Sequence, residues 1–108
     1  MALADLLQQD AIIPSLKVNS KKQLLQELAA RASKLTGVPE REIFDVILQR
    51  ERLGSTGVGH GVAIPHGKSP AVRDLIMAAG STPAPIDFDS LAGKPVSLFF
   101  LLVGPETC

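Results

Sequence analysis

The chain has 108 residues, of which 45% are hydrophobic and 20% are charged, and eleven basic residues balance eleven acidic ones. This is the composition of one folded domain, and it excludes an intrinsically disordered chain. A zero net charge and the absence of Trp and Tyr leave little to bind a phosphate backbone or to stack on bases, so we expect no nucleic-acid partner. The single cysteine, Cys108, forms no internal disulfide, which favours a reducing compartment.

The sequence contains no segment suited to a membrane. The first ten residues lack the basic start and the unbroken apolar stretch of a signal peptide. The longest apolar run, Leu98–Val103, is far shorter than the roughly 20 residues that span a bilayer. We therefore expect a cytoplasmic protein with no membrane insertion.

The clearest predicted helix runs from Ser20 to about Leu35. Apolar residues recur there at the spacing of one helical face: Leu24, Leu25, Leu28, Ala29, Ala32 and Leu35. Ser20 with Gln23 resembles a capping box, and Gly37 supplies a C-terminal stop. A short helix near residues 4–8 is a weaker prediction.

A second helix is predicted from Pro39 to about Arg52, since proline suits the first turn of a helix. Its buried stripe consists of Ile43, Phe44, Ile47 and Leu48. Gly54 is expected to end it. Glu51 and Arg52 lie near that end, and we expect both side chains to be solvated.

Apolar and β-branched runs predict strands at Val62–Ile64, Leu75–Ala79 and Pro95–Val103, with another inside Asp10–Val18. The segment Thr82–Ser90 is expected to be a loop with a short extended piece at Ile86–Phe88. Helices followed by several strands favour an α/β or α+β layered domain.

The last predicted strand does not alternate with polar residues. A strand that is apolar on both sides requires cover on both faces, yet the sequence stops soon after Val103 without another helix. We therefore interpret residues 1–108 as one C-terminally shortened domain, or one whose cover comes from another chain. Self-association through the uncovered sheet is one such arrangement. The alternative is that the two N-terminal helices provide all of the cover.

The segment most informative about chemistry is Arg50–Ser69, which reads RERLGSTGVGHGVAIPHGKS. Its density of glycine suits a loop whose backbone N–H groups bind an anion. Ser55 and Thr56 add hydroxyl donors, and Arg50 adds a cationic fork that matches phosphate. His66 follows a predicted strand, in a loop position where α/β proteins often carry their chemistry. These residues are suited to handling a phosphoryl group beside an imidazole.

The sequence resembles two nucleotide-binding motifs but matches neither of them. The run Gly61–Ser69 places five residues between its glycines where the P-loop has four, and it contains a proline. The run Gly57–Gly61 reads G-x-G-x-G, which is not the dinucleotide fingerprint. Nucleotide binding is therefore not the preferred interpretation.

Other site chemistries have weaker support. His60 and His66 match no zinc spacing and lack a third ligand, so no metal is predicted. A hydrolase built on Ser55, His66 and Asp74 lacks the G-x-S-x-G elbow. His60 is expected to be structural or simply solvated, and Arg50 could instead be a cation favoured at a helix C-terminus.

Two runs carry a resemblance to a known family: Arg50–Gly57, RERLGSTG, and Gly61–Lys68, GVAIPHGK. Together they resemble the enzyme IIA domain of the bacterial phosphotransferase system, in its fructose/mannitol/nitrogen class. The G-S-T-G-x-G motif is most similar to that of the nitrogen-regulatory type. Weaker similarity, which includes Ile86–Asp89 and Pro95–Leu98, extends over nearly the whole chain.

The resemblance implies a role for each residue of the motif. It implies that His66 is the phosphorylated histidine, that Arg50 lies near the phosphoryl group, and that Ser55 and Thr56 belong to the site. With Gly57, the last two are the expected phosphate-binding residues. The resemblance also implies a mixed β-sheet flanked by α-helices.

Two departures from the family pattern accompany the resemblance. Family members usually continue for several tens of residues, with two more helices and a second active-site histidine just after the position of Cys108. The nitrogen-regulatory type usually has asparagine where this sequence has His60.

The resemblance implies partners that are themselves proteins. The donor would be a small phosphocarrier of the HPr type, and no cofactor, metal or nucleotide would be needed. The acceptor would be a regulated partner protein or a sugar-specific IIB protein. A relay to IIB and a regulatory sensor therefore remain alternatives, together with a non-catalytic interaction domain.

Overall fold

The computed structural model describes residues 11–106 of the chain. Two helices precede most of a six-stranded sheet. The elements, in chain order, are β1 (Ile12–Ile13), α1 (Lys21–Thr36), α2 (Glu40–Arg52), β2 (Gly57–Gly59), β3 (Val62–Ala63), β4 (His66–Lys68), β5 (Ile76–Ile86), a 3₁₀ helix (Leu91–Gly93) and β6 (Val96–Gly104). The helix predicted near residues 4–8 lies outside the described residues.

Helix α1 begins and ends as its sequence predicts. The Ser20 hydroxyl accepts a hydrogen bond from the backbone N–H of Gln23 at 3.2 Å, which satisfies one of the unpaired donors of the first turn. At the other end Gly37 adopts the left-handed conformation, and its N–H donates to the carbonyl of Ser33 at 2.8 Å. The predicted helix is therefore confirmed within one residue at each end.

Helix α2 starts after Pro39, which takes the N-cap position. Acidic residues, Glu40 and Glu42, occupy its first turn, and basic residues, Arg50 and Arg52, occupy its last turn. This distribution complements the helix dipole at both ends. The second predicted helix is confirmed, and it delivers the RERLGSTG segment at its C-terminus.

The sheet has the strand order β1-β5-β6-β3-β2, with β4 also paired to β6. Strand β6 is antiparallel to β5 and parallel to β3 and β4, while β1 is parallel to β5 and β2 is antiparallel to β3. The sheet is therefore mixed. The predicted α/β architecture, a mixed sheet flanked by helices, is confirmed.

The core lies between the two helices and one face of this sheet. The fully buried residues of α1 and α2 pack with alternate residues of β6, and the cluster includes Leu24, Leu25, Leu28, Ile43, Ile47, Phe99, Leu101 and Val103. Burying each large aliphatic or aromatic side chain contributes about 1.5–3 kcal/mol to folding. The other face of β6 carries Phe100 and Leu102, which are half-buried, and Leu98, which is 38% exposed.

The strand predicted inside Asp10–Val18 is confirmed as β1, which has only two residues in the described part of the chain because Pro14 follows it and has no N–H for a ladder. Three loop predictions need correction. The predicted loop from Thr82 is wrong as far as Ile86, because β5 continues through those residues. Strands β2 and β4 were both expected to be loop, and each has only three residues, too few for a recognisable alternation.

None of the helices in residues 11–106 is long and apolar enough to cross a lipid bilayer.

Candidate functional site

Strands β3 and β4 form one interrupted strand along β6. Val62 pairs with Leu98 and His66 pairs with Leu102, so the register is the same on both sides of the interruption. Pro65 lies between them and has no N–H to donate, but its carbonyl still accepts the N–H of Leu102 at 3.0 Å. His66 is therefore in a short strand and not in the loop that the sequence predicts.

One ring nitrogen of His66 is held by the backbone. Its Nδ1 lies 2.8 Å from the carbonyl oxygen of Ile64. Because a carbonyl oxygen only accepts hydrogen bonds, Nδ1 must carry the hydrogen, and Nε2 of the neutral ring then holds the lone pair. The His66 side chain is exposed. The free nucleophilic nitrogen is thus available to another molecule.

Gly67 allows helix α2 to approach the strand that carries His66. A Cβ at Gly67 would lie 3.1 Å from Cγ2 of Val46 and 3.4 Å from the Val46 carbonyl carbon and oxygen. The shorter of these contacts is tighter than ordinary van der Waals packing, so Val46 would have to give by a few tenths of an ångström to accept a side chain here. Arg50 is one helical turn beyond Val46, on the same face of α2.

Arg50 is half-buried and holds the turn that follows its own helix. Its Nη1 donates to the carbonyl of Gly54 at 2.8 Å. Within residues 11–106 this is its one hydrogen bond, so four of the five guanidinium N–H groups are left for a ligand. No hydrogen bond joins Arg50 to His66 in that part of the chain.

The hydroxyl of Ser55 is engaged inside the protein. It donates to the carbonyl of Phe88 at 2.9 Å and accepts the N–H of Gly57 at 3.1 Å. These bonds connect the segment after α2 to the segment after β5. The Ser55 hydroxyl and the Gly57 N–H, both predicted to bind phosphate, are therefore hydrogen-bonded within the protein in this structure.

Thr56 is engaged in the same way, with Glu51 as its partner. The backbone N–H of Thr56 lies 3.2 and 3.3 Å from the two carboxylate oxygens of Glu51, and its hydroxyl donates to Oε1. Glu51 is only 6% exposed, so the prediction that it is solvated is wrong. A buried carboxylate must be paired, and Lys21 supplies the charge at 2.8 Å from Oε2.

Lys21 is itself surrounded by acceptors on the segment after β5. Its ammonium group donates to the Phe88 carbonyl at 3.2 Å, lies 4.5 Å from the centroid of the Phe88 ring and is 3.7 Å from the carboxylate of Asp89. The Phe88 carbonyl thus accepts from both Lys21 and Ser55. The Lys21–Glu51 ion pair thus connects α1 and α2 to the segment after β5.

The sequence does contain a signal for a buried Glu51. Ile43 and Ile47 are fully buried on α2, and Glu51 follows at the same four-residue spacing, so it continues the apolar stripe. A charged residue on that stripe indicates a buried, paired carboxylate. The partner, Lys21, is distant in sequence and carries no comparable signal.

The structure brings the predicted loop and the predicted histidine together through one residue. The N–H of Ile64 donates to the carbonyl of Thr56 at 3.0 Å, and the carbonyl of Ile64 accepts from Nδ1 of His66. His60, by contrast, is exposed at the tip of the β2–β3 turn with φ of 57°. It takes no part in this arrangement.

Among the side chains of residues 11–106, no group of three or more His, Cys, Asp or Glu residues is placed to hold a metal ion.

Comparison with known families gives a match over residues 5–108. The matching family is described as "Phosphoenolpyruvate-dependent sugar phosphotransferase system, EIIA 2". This match confirms the resemblance drawn from the RERLGSTG and GVAIPHGK runs.

Individual relatives agree with the family match. The chain is 57% identical over 106 residues to a nitrogen regulatory protein of Bradyrhizobium diazoefficiens, and 36% identical over 108 residues to one of Escherichia coli (strain K12). These alignments cover 98% and 97% of this chain, but 69% and 65% of the two relatives. The chain thus spans about two thirds of their length.

A solved structure agrees with the fold. The crystal structure of nitrogen regulatory protein IIA-Ntr from Neisseria meningitidis superposes with a TM-score of 0.92 at 38% identity. The superposition covers 96% of this chain and 71% of that one.

Proposed function

Because the chain belongs to the EIIA 2 family of the phosphoenolpyruvate-dependent sugar phosphotransferase system, we propose that it is a cytoplasmic phosphocarrier that accepts a phosphoryl group on His66. The observation that carries this proposal is the hydrogen bond between Nδ1 of His66 and the Ile64 carbonyl. It fixes the ring in the tautomer that leaves Nε2 as the nucleophile, on a side chain exposed to a partner.

The proposed step transfers a phosphoryl group from a phosphohistidine of the donor protein. The lone pair on Nε2 of His66 attacks phosphorus, the new N–P bond forms, and the N–P bond of the donor breaks with its electron pair returning to the donor ring. The hydrogen on Nδ1 stays in place, bonded to Ile64. Such transfers are accelerated chiefly by positioning and by charge stabilisation.

Arg50 is the proposed source of charge stabilisation. Its guanidinium is anchored to Gly54 by one N–H and keeps four others. It lies one turn from Val46, which packs on the residue next to His66. A planar cation at this place would bind the equatorial oxygens of the phosphoryl group.

The family and the relatives support a proposal for the donor and for the output of phosphorylation. We propose a small HPr-type phosphocarrier protein as the donor. Since the relatives at 57% and 36% identity are nitrogen regulatory proteins, we propose that the phosphorylation state of His66 is read by regulated partner proteins. Passage of the phosphoryl group to a sugar-specific IIB protein would contradict that output.

The test is intact mass after incubation with phosphoenolpyruvate, enzyme I and an HPr-type donor. We expect a gain of one acid-labile phosphoryl group in the natural chain and in His60→Ala, and none in His66→Ala. Circular dichroism of His66→Ala would confirm that the fold is retained. Labelling of folded His66→Ala at a histidine would overturn the assignment, as would a failure of the natural chain with every donor.

A second measurement distinguishes a regulatory output from transfer of the phosphoryl group to a IIB protein. The phosphorylated chain is mixed with purified fructose-type and mannitol-type IIB proteins, and loss of the phosphoryl group is followed by mass. We expect no transfer beyond spontaneous hydrolysis. Rapid transfer to either IIB protein would show a sugar relay instead.

A further inference from the structure

The ladder between β2 and β3 stops in an unusual way at Thr56 and Ile64. Gly57 pairs with Ala63 in antiparallel register, so Thr56 and Ile64 are the next pair along the ladder. In a regular hydrogen-bonded antiparallel pair, the two residues exchange both N–H···O bonds. Here the Ile64 N–H donates to Thr56 at 3.0 Å, but the Thr56 N–H bonds to Glu51 instead of returning to Ile64.

The missing bond leaves the Ile64 carbonyl without the N–H donor that a regular antiparallel pair would give it. With the Thr56 N–H held elsewhere, the oxygen of Ile64 accepts Nδ1 of His66 at 2.8 Å. The carboxylate of Glu51 thus binds the Thr56 N–H that would otherwise complete the ladder. The His66 ring binds the Ile64 carbonyl that would have accepted that N–H.

We infer that Glu51 is a positioning residue for His66: by holding the N–H and the hydroxyl of Thr56, it leaves the Ile64 carbonyl to fix the ring of His66. The inference rests on the proposed phosphocarrier function, since it concerns the same histidine. Glu51 does not touch the phosphoryl group; it acts through Thr56 and Ile64. The role requires a buried acceptor, and Glu51 is 6% exposed.

The ion pair with Lys21 allows the buried carboxylate of Glu51 to be charged. Its ammonium group lies 2.8 Å from Oε2, while Thr56 occupies Oε1 with its hydroxyl. Lys21 is in turn held by the Phe88 carbonyl, which also receives the Ser55 hydroxyl. Because each group has a partner, the carboxylate is fixed in one orientation toward the Thr56 N–H.

The test compares two double variants that remove both charges together, since a buried Glu51 carboxylate without its partner would itself destabilise the fold. Lys21→Met with Glu51→Met leaves Thr56 without its acceptor. Lys21→Met with Glu51→Gln keeps a carbonyl oxygen at the same place. The matched surface control is Asp45→Asn, an exposed acidic residue on the same helix.

The first readout is the tautomer of His66, measured by long-range ¹H–¹⁵N correlation of the histidine rings. The second is the rate at which an HPr-type donor phosphorylates the chain. We expect the Met/Met variant to lose its excess of the Nδ1–H tautomer and to accept phosphoryl groups at least tenfold more slowly than the natural chain. The Met/Gln variant should recover the tautomer and be at least tenfold faster than Met/Met, and Asp45→Asn should be unchanged in both readouts.

A folded Met/Met variant with the tautomer and rate of the natural chain would overturn the inference. If Met/Met does not fold, Glu51→Asp decides, because it keeps a carboxylate for Lys21 but withdraws it from the Thr56 N–H by one methylene group. A folded Glu51→Asp variant with the tautomer and rate of the natural chain would also overturn the inference. The tautomer is measured without any donor, so failure of the phosphocarrier proposal would be seen separately, as a natural chain with a fixed ring and no phosphorylation.

Discussion

His60 and His66 are both exposed and stand on either side of strand β3, yet their surroundings differ in kind. His60 occupies the β2–β3 turn with φ of 57°, between Gly59 and Gly61, whose φ values are 92° and 76°. In the described residues, no hydrogen bond orients its ring. His66 lies in an extended strand, and the Ile64 carbonyl fixes its Nδ1.

The difference teaches that the backbone around a histidine decides what the ring can do. Both rings have the same intrinsic chemistry, and both side chains are exposed. Only at residue 66 does a fixed acceptor select one tautomer and leave one nitrogen for attack. The acceptor exists because the ladder from β2 ends at Thr56, whereas the turn at residue 60 offers no such group.

The largest expected effect is the all-or-none choice of nitrogen. In the phosphorylated chain, we expect the phosphoryl group on Nε2 of His66 and the hydrogen still on Nδ1, because Nδ1 is bonded to Ile64. Long-range ¹H–¹⁵N spectra recorded before and after phosphorylation would show this, with His60 as the internal control. A phosphoryl group on Nδ1, or on His60, would erase the contrast between the two residues.

The next largest effect concerns the packing of helix α2 against Gly67, the residue that follows His66. Gly67→Ala places a methyl group 3.1 Å from Cγ2 of Val46, and we expect a loss of about 1–3 kcal/mol in the free energy of unfolding. Urea denaturation would measure it. Combining it with Val46→Ala, which removes the nearer contact, should return part of that loss, so the double-mutant cycle should show favourable coupling. Strict additivity would mean that the helix does not press on the strand.

The smallest effect is at the turn. Asparagine adopts positive φ more readily than histidine, so His60→Asn should raise the free energy of unfolding by about 0.5 kcal/mol. His60→Val should lower it by about 1–2 kcal/mol, since a β-branched residue is strained there. Thermal unfolding of the pair would measure both, with the His66 tautomer expected to stay the same. A shift of that tautomer would show that the two histidines are coupled.

Most of the helical architecture could be predicted from sequence because its determinants are local. The period of Leu24, Leu25 and Leu28, the Ser20 cap and the Gly37 stop all lie within helix α1 or beside it. The same holds for α2, whose charges match its dipole. The mixed sheet was implied by the resemblance, and the order of its strands came only from the structure.

The short strands and the ion pair between Lys21 and Glu51 could not be predicted in this way. Strands β2 and β4 exist because β3 and β6 offer them partners, and their own residues, rich in glycine, have little preference for extended structure. The contact between Lys21 and Glu51 joins positions that are close only in the folded chain. His66, Arg50, Ser55, Thr56 and Gly57 were assigned from their motif, and their roles in phosphoryl transfer remain predictions.

The stop in the ladder at Thr56 also affects how the sheet meets other chains. Unpaired backbone groups at a sheet edge form a template on which an incoming strand can add, and this is a common route to aggregation. Here a carboxylate covers the N–H of Thr56 and an imidazole covers the carbonyl of Ile64. At this pair both backbone groups are thus hydrogen-bonded to side chains, so neither group is left for a strand of another chain to pair with.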